Sequence, residues 1–215
     1  EVIPLWLDPD EIRPMDRDNA WRREQGIPED KFVVLYAGTI GLVSGAAMVA
    51  EVAHLLRDRE DILFVFNGDG AAKPDLERRA QELGLTNIRF LPFQPRERLP
   101  EVQATADVGL VTLSPGRGRT SVPSKVLGYM AAGRPVLASV DADSDTGREV
   151  GENNLGMVVP AADVEALAHG VLKLADDPEL RQRLGRAGRE RMESAYARGA
   201  VLQRYHRMLQ RLLQA

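Results

Sequence analysis

A serine and a lysine stand at the start of a short predicted helix, where their types and spacing could bind an anion. Residues 121–136 read SVPSKVLGYMAAGRPV, which predicts a helix over residues 123–132, then a Gly-x-Pro turn and an apolar strand. A helix start presents unpaired N–H groups and the positive end of the helix dipole. Lys125 opposes that dipole unless an anion binds there. The residues leave two interpretations open: an anion-binding Ser124-Lys125 pair, and a solvated lysine on a capped helix.

A glycine-rich stretch follows the first predicted strand. Residues 38–45 read GTIGLVSG and lead into a helix. Glycines let the backbone approach a phosphate closely, and a following helix start favours its negative charge. The stretch is neither a G-x-G-x-x-G fingerprint nor a P-loop. A phosphate cradle and an ordinary structural turn are therefore equally good interpretations of these residues.

A basic loop follows the fourth predicted strand. Residues 114–121 read SPGRGRTS, with Arg117 and Arg119 two positions apart. A guanidinium binds a diphosphate well through paired hydrogen bonds. The two arginines could bind such a group, or they could be solvated side chains of a surface loop.

Strands alternate with helices along the chain, which predicts an α/β fold built on a doubly wound parallel sheet. The predicted strands are apolar runs at residues 32–37, 62–66, 88–91, 108–113, 136–140 and 156–159. The predicted helices cover residues 18–25, 46–56, 72–83, 96–105, 123–132, 163–175, 178–194 and 198–213. In such a sheet, ligands bind at the carboxyl ends of the strands. The glycine-rich stretch, the basic loop and Lys125 are all expected at that edge.

Composition and charge exclude several classes of protein. The chain has no cysteine, which excludes disulfides and thiolate metal sites. No apolar run approaches the ~20 residues of a membrane span. Residues 1–180 carry 19 Lys and Arg against 30 Asp and Glu, whereas residues 181–215 carry 9 Arg against 2 Glu. That basic end is either a solvated helix surface or a surface for an anionic membrane or acidic domain. The acidic remainder, with few aromatics, argues against nucleic-acid binding.

The order and spacing of several segments resemble group 1 (family 4 type) glycosyltransferases over residues 2–212. Residues 128–136, GYMAAGRPV, are similar to the family's Glu-Ala-Met-Ala-x-Gly-x-Pro-Val run. The preceding Pro-Ser-Lys resembles the branch that builds bacterial surface polysaccharides such as colanic acid and O-antigens. Similar segments are LYAG at 35–38, FNGDG at 66–70, FLP at 90–92, ADV at 106–108 and GMVVP at 156–160.

The resemblance implies the donor-binding, C-terminal half of a two-domain GT-B enzyme. Such an enzyme moves a hexosyl or N-acetylhexosaminyl group from a nucleotide sugar, here UDP-linked, to a lipid-linked or saccharide acceptor. Family members of this type usually retain the anomeric configuration and need neither metal nor cofactor. The acceptor site would lie in an N-terminal domain outside this chain, so the isolated half would be inactive. The enzyme would be cytoplasmic, at the inner face of the membrane.

The resemblance also assigns the site. Lys125 would stabilise the leaving group, and Phe93 would lie where the nucleotide base is received. The residues expected to bind the donor are Gly38, Thr39, Gly41, Phe93, Arg117, Arg119, Ser121, Val122, Ser124 and Lys125.

The chain departs from the family at four positions. Many members have an Arg and a Lys in the glycine-rich loop and two Glu eight positions apart. This chain has Thr39, Ser44, Thr120 and Gly128 at those places. Ribose recognition must therefore differ, and Lys125 with Arg117 or Arg119 would supply the missing positive charge.

Two other functions stay open at this stage. A nucleotide-sugar epimerase can share the two-domain fold, and a degenerate domain could bind a partner without binding a donor. The acidic residues 141–145, DADSD, could bind a metal, but the loop lacks the glycine of a calcium site and follows a strand. A solvated loop beside the donor pocket is the favoured interpretation.

Three regions are expected along the chain. Residues 1–30 form a linker with a short helix, residues 31–195 a Rossmann-like nucleotide-sugar-binding domain, and residues 196–215 a helix that packs toward the N-terminal domain. The chain starts without methionine, and its first residues show no signal peptide. We expect it to be part of a longer protein.

Overall fold

Six parallel strands form one sheet, as the sequence predicts. A computed structural model describes residues 3–117 and 124–213. The strands are β1 (Phe32–Ala37), β2 (Ile62–Asn67), β3 (Ile88–Leu91), β4 (Val108–Thr112), β5 (Val136–Ser139) and β6 (Gly156–Val159). Their order in the sheet is β3-β2-β1-β4-β5-β6. The chain reverses its direction of winding between β1 and β4, which is where doubly wound sheets open a ligand crevice.

Helices cover both faces of the sheet. They are α1 (Ala20–Glu24), α2 (Met48–Leu55), α3 (Lys73–Glu82), α4 (Leu99–Thr105), α5 (Lys125–Ala131), α6 (Asp145–Glu152), α7 (Val164–Asp176), α8 (Pro178–Arg191) and α9 (Arg198–Leu213). The expected helix over residues 178–194 ends at Arg191 and continues as a π-helical turn, Met192–Tyr196.

Helix α6 was missing from the sequence prediction, which treated this region as a loop. Ser144 caps it, because its side-chain oxygen accepts a hydrogen bond from the Gly147 amide at 3.0 Å. Val150 is the only large apolar residue in the helix, and it is fully buried. One apolar residue gives no helical periodicity, so pattern alone could not reveal this element.

The core has one layer on each side of the sheet. Val34 and Tyr36 of β1 pack into one layer, with α2, α3 and α7. Val33 and Leu35 pack into the other layer, with α1, α4 and α5. Because β1 is buried on both faces, its sequence is apolar without interruption, as expected for a central parallel strand.

The two ends of the chain differ in how much they bury. Trp21 and Arg22 of α1 are fully buried, so this helix packs into the core. In α9, Val201 is buried, whereas Tyr205 and Leu209, which follow it at intervals of four residues, are exposed. The expected division at residues 31 and 196 stays a prediction. No helix among the described residues is long and apolar enough to cross a membrane.

Candidate functional site

The loop after β1 is joined through its backbone to the loop after β2. The Gly38 amide donates to the Asn67 carbonyl at 2.9 Å, and the Ile40 amide donates to the Asp69 carbonyl at 2.8 Å. A Cβ on Gly68 would lie 2.0 Å from the Gly38 oxygen, so only glycine fits there. The loop is therefore held rigidly at the carboxyl end of β1.

This pairing changes which amides of the loop could bind a ligand. The sequence predicts a cradle from the N–H groups of residues 38–41, but the amides of Gly38 and Ile40 already have carbonyl partners. No described residue accepts a hydrogen bond from the amide of Thr39 or Gly41. Thr39 is exposed and Gly41 half-buried, so their amides remain the candidates in this loop.

Lys125 reaches from the start of α5 to the end of β1. Its Nζ lies 3.3 Å from the centroid of the Tyr36 ring. Its Cε lies 3.7 Å from the place a Cβ on Gly38 would take. Burial lowers the pKa of Lys125 from 10.5 to about 7, because the ammonium loses most of its water. Lys125 is half-buried, so it is not a fully solvated surface lysine, and its anion-binding role stays a prediction.

Ser124 does not cap α5. It lies in the helical region of backbone space, and its side chain makes no capping hydrogen bond. It is exposed, directly before Lys125. Lys125 is half-buried, and α5 therefore begins without a serine cap.

Tyr36 is a site residue that the sequence prediction missed. Its hydroxyl donates to the Thr39 carbonyl at 2.8 Å, and its ring stacks on Phe66 with centroids 5.1 Å apart. Burial raises the pKa of Tyr36, which keeps the ring neutral. A neutral ring beside an ammonium attracts it through the ring quadrupole. An aromatic residue near the end of the first strand was the only signal in the sequence.

Ser44 stabilises the conformation of the glycine-rich stretch. Its hydroxyl donates to the Gly41 carbonyl at 2.6 Å and accepts from the Ala46 amide at 3.3 Å. Its own carbonyl accepts from the Thr112 hydroxyl at 2.6 Å, which connects the stretch to the end of β4. The position at which many family members have a lysine is thus occupied by a buried, internally bonded serine.

The loops after β4 and β5 meet at the same edge. The Gly116 amide donates to a carboxylate oxygen of Asp141 at 2.8 Å. Arg117 follows directly, and its amide donates to the Ser114 carbonyl at 3.1 Å. Arg117 therefore lies at the edge expected for it. Of the other predicted donor-binding residues, Arg119, Ser121 and Val122 lie outside the described residues, as does Thr120.

Gln103 occupies the space beside Gly128, where the resemblance expects a glutamate. Its Nε2 lies 3.0 Å from the place a Gly128 Cβ would take, so a larger side chain needs Gln103 to move. Its Oε1 is buried and has no hydrogen-bond partner among the described residues. The expected difference in ribose recognition stays a prediction.

Phe93 lies in the loop after β3, two strands from β1 in the sheet. The loop is held by the Asn67 side chain, which donates to the Pro92 carbonyl at 2.7 Å. Phe93 is 54% exposed, so it is not a packed loop aromatic. An exposed ring at the carboxyl edge is available for stacking, and its predicted role with the base stays a prediction.

The acidic loop over residues 141–145 is engaged in local structure. Asp141 accepts from Gly116 through its carboxylate and from the Ser144 hydroxyl through its carbonyl. Within residues 3–117 and 124–213, there is no group of three or more His, Asp or Glu side chains that could hold a metal ion.

Together these groups form a candidate anion site. The half-buried Lys125, the amides of Thr39 and Gly41, and Arg117 all lie at the carboxyl ends of β1 and β4, where the sheet reverses its winding. Positive groups removed from water act strongly on a phosphate, because solvent screens them little. The arrangement is suited to a phosphorylated ligand.

Comparison with solved structures shows the fold. The chain superimposes on sucrose-phosphate synthase from Thermosynechococcus elongatus with a TM-score of 0.83 at 22% identity, covering 100% of this chain and 53% of that one. It superimposes on Anabaena HepE, solved in complex with UDP and glucose, with a TM-score of 0.82 at 17% identity, covering 98% and 56%. The fold is that of a GT-B glycosyltransferase domain, as expected.

Comparison of sequences shows the family. The pattern of the family described as glycosyl transferases group 1 matches residues 17–191. The chain is 33% identical over 155 residues to the putative colanic acid biosynthesis glycosyl transferase WcaI of Escherichia coli K12, covering 71% of this chain and 38% of WcaI. The chain therefore belongs to the group 1 glycosyltransferases, which confirms the resemblance. It spans well under two thirds of the length of these relatives.

Proposed function

We propose that this chain binds a nucleotide sugar, with UDP as the nucleotide, and that Lys125 stabilises the departing diphosphate. The observation that carries the proposal is the position of Lys125, half-buried over the Tyr36 ring and beside the Gly38 loop. Anabaena HepE was solved with UDP and glucose, and it shares this fold. That likeness supports UDP as the first nucleotide to test.

Lys125 would act on the charge that develops as the sugar leaves. The bond between the anomeric carbon and the β-phosphate oxygen breaks, and its electron pair stays on the phosphate. A protonated Lys125 Nζ, with the amides of Thr39 and Gly41, would receive that charge in a site already depleted of water. Preorganised donors of this kind lower the barrier without reorganising during the reaction.

Arg117 and Phe93 would contact different parts of the donor. Arg117 lies on the loop after β4, within reach of the same edge, and would share the diphosphate charge with Lys125. Phe93 offers an exposed ring for the base beyond β2. The proposed reaction retains the anomeric configuration and uses neither metal nor cofactor, as the family resemblance implies.

The whole protein would transfer a hexosyl or N-acetylhexosaminyl group to a lipid-linked or saccharide acceptor in bacterial envelope polysaccharide synthesis. The similarity to WcaI supports this acceptor class. An N-terminal domain would supply the acceptor site, and the exposed stripe of α9 with Tyr205 and Leu209 would pack toward it. The enzyme would work in the cytoplasm at the inner face of the membrane.

Calorimetric titration with UDP, GDP and ADP tests the donor site. We expect saturable binding of UDP, and a loss of at least tenfold in affinity for Lys125→Ala, since a hydrogen bond to a charged group contributes about 1.5–3 kcal/mol. Lys173→Ala is the matched control, because Lys173 is an exposed lysine of α7. Its affinity should equal that of the unchanged protein.

The outcomes separate the alternatives. Binding that Lys125→Ala leaves intact would contradict the role of Lys125. If the folded full-length protein binds none of these nucleotides, the alternative of a degenerate interaction domain is favoured. If UDP binds, the products of a UDP-sugar reaction distinguish a transferase from an epimerase.

A further inference from the structure

A second cleft opens at the amino-terminal edge of the sheet, opposite the donor site. It lies where the chain enters β4 and β5, beside Asp107 and the turn at Gly133, and has a volume of about 580 Å³. The charged residues that line it are Arg17, Asp107, Arg134, Arg181, Arg186 and Arg189. Five guanidinium groups and one carboxylate leave a formal lining charge of +4. A volume of this size suits a small molecule, since ligand pockets measure roughly 300–1,000 Å³.

The single carboxylate of the cleft is already occupied. Both oxygens of Asp107 lie 2.9 Å from one nitrogen of Arg17, and one of them also accepts from the Val33 amide at 2.8 Å. Asp107 therefore neutralises Arg17 and holds the start of the sheet. Asp107 is also the only carboxylate of the described residues that lines the cleft, so its one negative charge cannot balance all five arginines.

Neutral carbonyls hold most of the remaining guanidinium groups. Arg134 donates to the Met15 carbonyl at 2.7 Å, and Arg181 donates to the Ala175 carbonyl at 2.9 Å. A carbonyl satisfies a donor but cancels no charge. Burial lowers the pKa of Arg134 and of Arg181, which reflects the loss of water around them. An arginine stays protonated in proteins, so these charges persist in the cleft.

Two further features leave capacity for a ligand. The Nε of Arg134 is buried and has no hydrogen-bond partner among the described residues. Arg186 is exposed at the cleft, and it forms no ion pair with any carboxylate in the described part of the chain. Arg189, unlike Arg186, forms an ion pair, because its guanidinium lies 2.6 Å from the Glu193 carboxylate. The cleft therefore has an excess of donors and of positive charge.

The floor of the cleft is rigid. A Cβ on Gly185 of α8 would lie 2.2 Å from the Gly133 oxygen, so α8 packs directly on the turn before β5. Gly133 itself has φ +67°, a conformation that favours glycine. A fixed floor reduces the ordering cost of binding.

We propose that this cleft binds a small, multiply charged anion bearing phosphate or carboxylate groups, at a site separate from the donor site. Guanidinium groups bind both kinds of group through paired, charge-assisted hydrogen bonds. The cleft is concave and its basic groups converge, which favours a small molecule over a flat anionic surface. The proposal does not depend on the proposed donor function.

Titration of the full-length protein with inorganic pyrophosphate, and separately with citrate, tests the proposal. We expect at least one probe to bind with an affinity that falls as NaCl is raised. Arg186→Gln should weaken binding about tenfold, since it removes one charge-assisted contact from an exposed position that does not hold the fold. Arg183→Gln is the matched control, because Arg183 is an exposed arginine of the same helix that does not line the cleft.

Lys125→Ala distinguishes this site from the donor site. In Lys125→Ala, which removes the diphosphate contact of the donor site, pyrophosphate and citrate should still bind at the cleft, and Arg186→Gln should leave UDP binding unchanged. The proposal is overturned if neither probe binds, if Arg183→Gln weakens binding as much as Arg186→Gln, or if Lys125→Ala abolishes it. Binding to vesicles of phosphatidylglycerol without binding of either probe would also overturn it.

Discussion

Replacing Lys125 by methionine should stabilise the protein while it weakens nucleotide binding. The fall in the pKa of Lys125 from 10.5 to about 7 corresponds to about 5 kcal/mol of destabilisation when the amine is protonated in both states. The Tyr36 ring, 3.3 Å from Nζ, offsets up to about 2 kcal/mol of that cost. Methionine has a similar length and no charge. We therefore expect Lys125→Met to raise the free energy of unfolding by about 3 kcal/mol at pH 6.

The gain should depend on pH with a definite sign. The folded protein binds fewer protons at Lys125 than the unfolded chain does between pH 7 and pH 10.5, so the stability of the unchanged protein rises with pH across that window. The methionine variant lacks this contribution. Its advantage should be full below pH 7 and should disappear as pH approaches 10.5.

Urea unfolding at pH 6 and pH 10, followed by circular dichroism, measures the effect. Lys173→Met is the control, and its stability should stay within about 0.5 kcal/mol of the unchanged protein, as is usual for surface substitutions. UDP titration of the same samples should show weaker binding only for Lys125→Met. A Lys125→Met variant with unchanged or lower stability at pH 6, or with a gain that does not vary with pH, would refute the argument that burial of this charge is costly.

Three further outcomes follow from the same contacts. Gly68→Ala should lower the free energy of unfolding by about 3 kcal/mol in urea titration, because its Cβ would lie 2.0 Å from the Gly38 oxygen. Asp107→Ala should cost about 3–5 kcal/mol in the same assay, since it leaves the Arg17 charge and a buried amide unpaired. The affinity for UDP should fall up to about tenfold per pH unit above pH 7 in calorimetry, because Lys125 then loses its proton in the unliganded protein.

Matched variants make these outcomes interpretable. Gly84→Ala is the control for Gly68→Ala, because no atom lies within 4 Å of a Cβ at Gly84, although its φ of +64° carries some strain. An equal loss from both glycines would contradict the argument from the Gly38 contact. Asp75→Ala, an exposed carboxylate of α3, is the control for Asp107→Ala. A UDP affinity independent of pH between 7 and 9 would show that protonation of Lys125 does not contribute to binding.

The strands were predictable because the central strands are buried on both faces. The run FVVLYA predicts a buried strand and forms β1, Phe32–Ala37, with every residue buried. The predicted Gly156–Val159 strand likewise matches β6. The helix Asp145–Glu152 was not predictable in this way, since a side-chain cap and a single buried valine define it.

The candidate site was predictable only in part. The resemblance pointed to Lys125, and the strand pattern placed it at the correct edge of the sheet. The state of that lysine depends on Tyr36, which lies 89 positions earlier in the chain. The space at Gly128 depends in the same way on Gln103, a residue of another helix. No local pattern in the sequence connects such pairs.

The sequence by itself determined the class of fold and the edge at which a ligand would bind, because alternating apolar runs and helical periodicity record which faces each element buries. Only the tertiary structure decided what the charged groups can do. It placed the Lys125 ammonium over the Tyr36 ring, paired the Gly38 amide with the end of β2, and gathered arginines from three regions of the chain beside Asp107. The physical reason is that protonation and hydrogen bonding depend on the atoms around a group, and folding brings those atoms from distant positions in the chain.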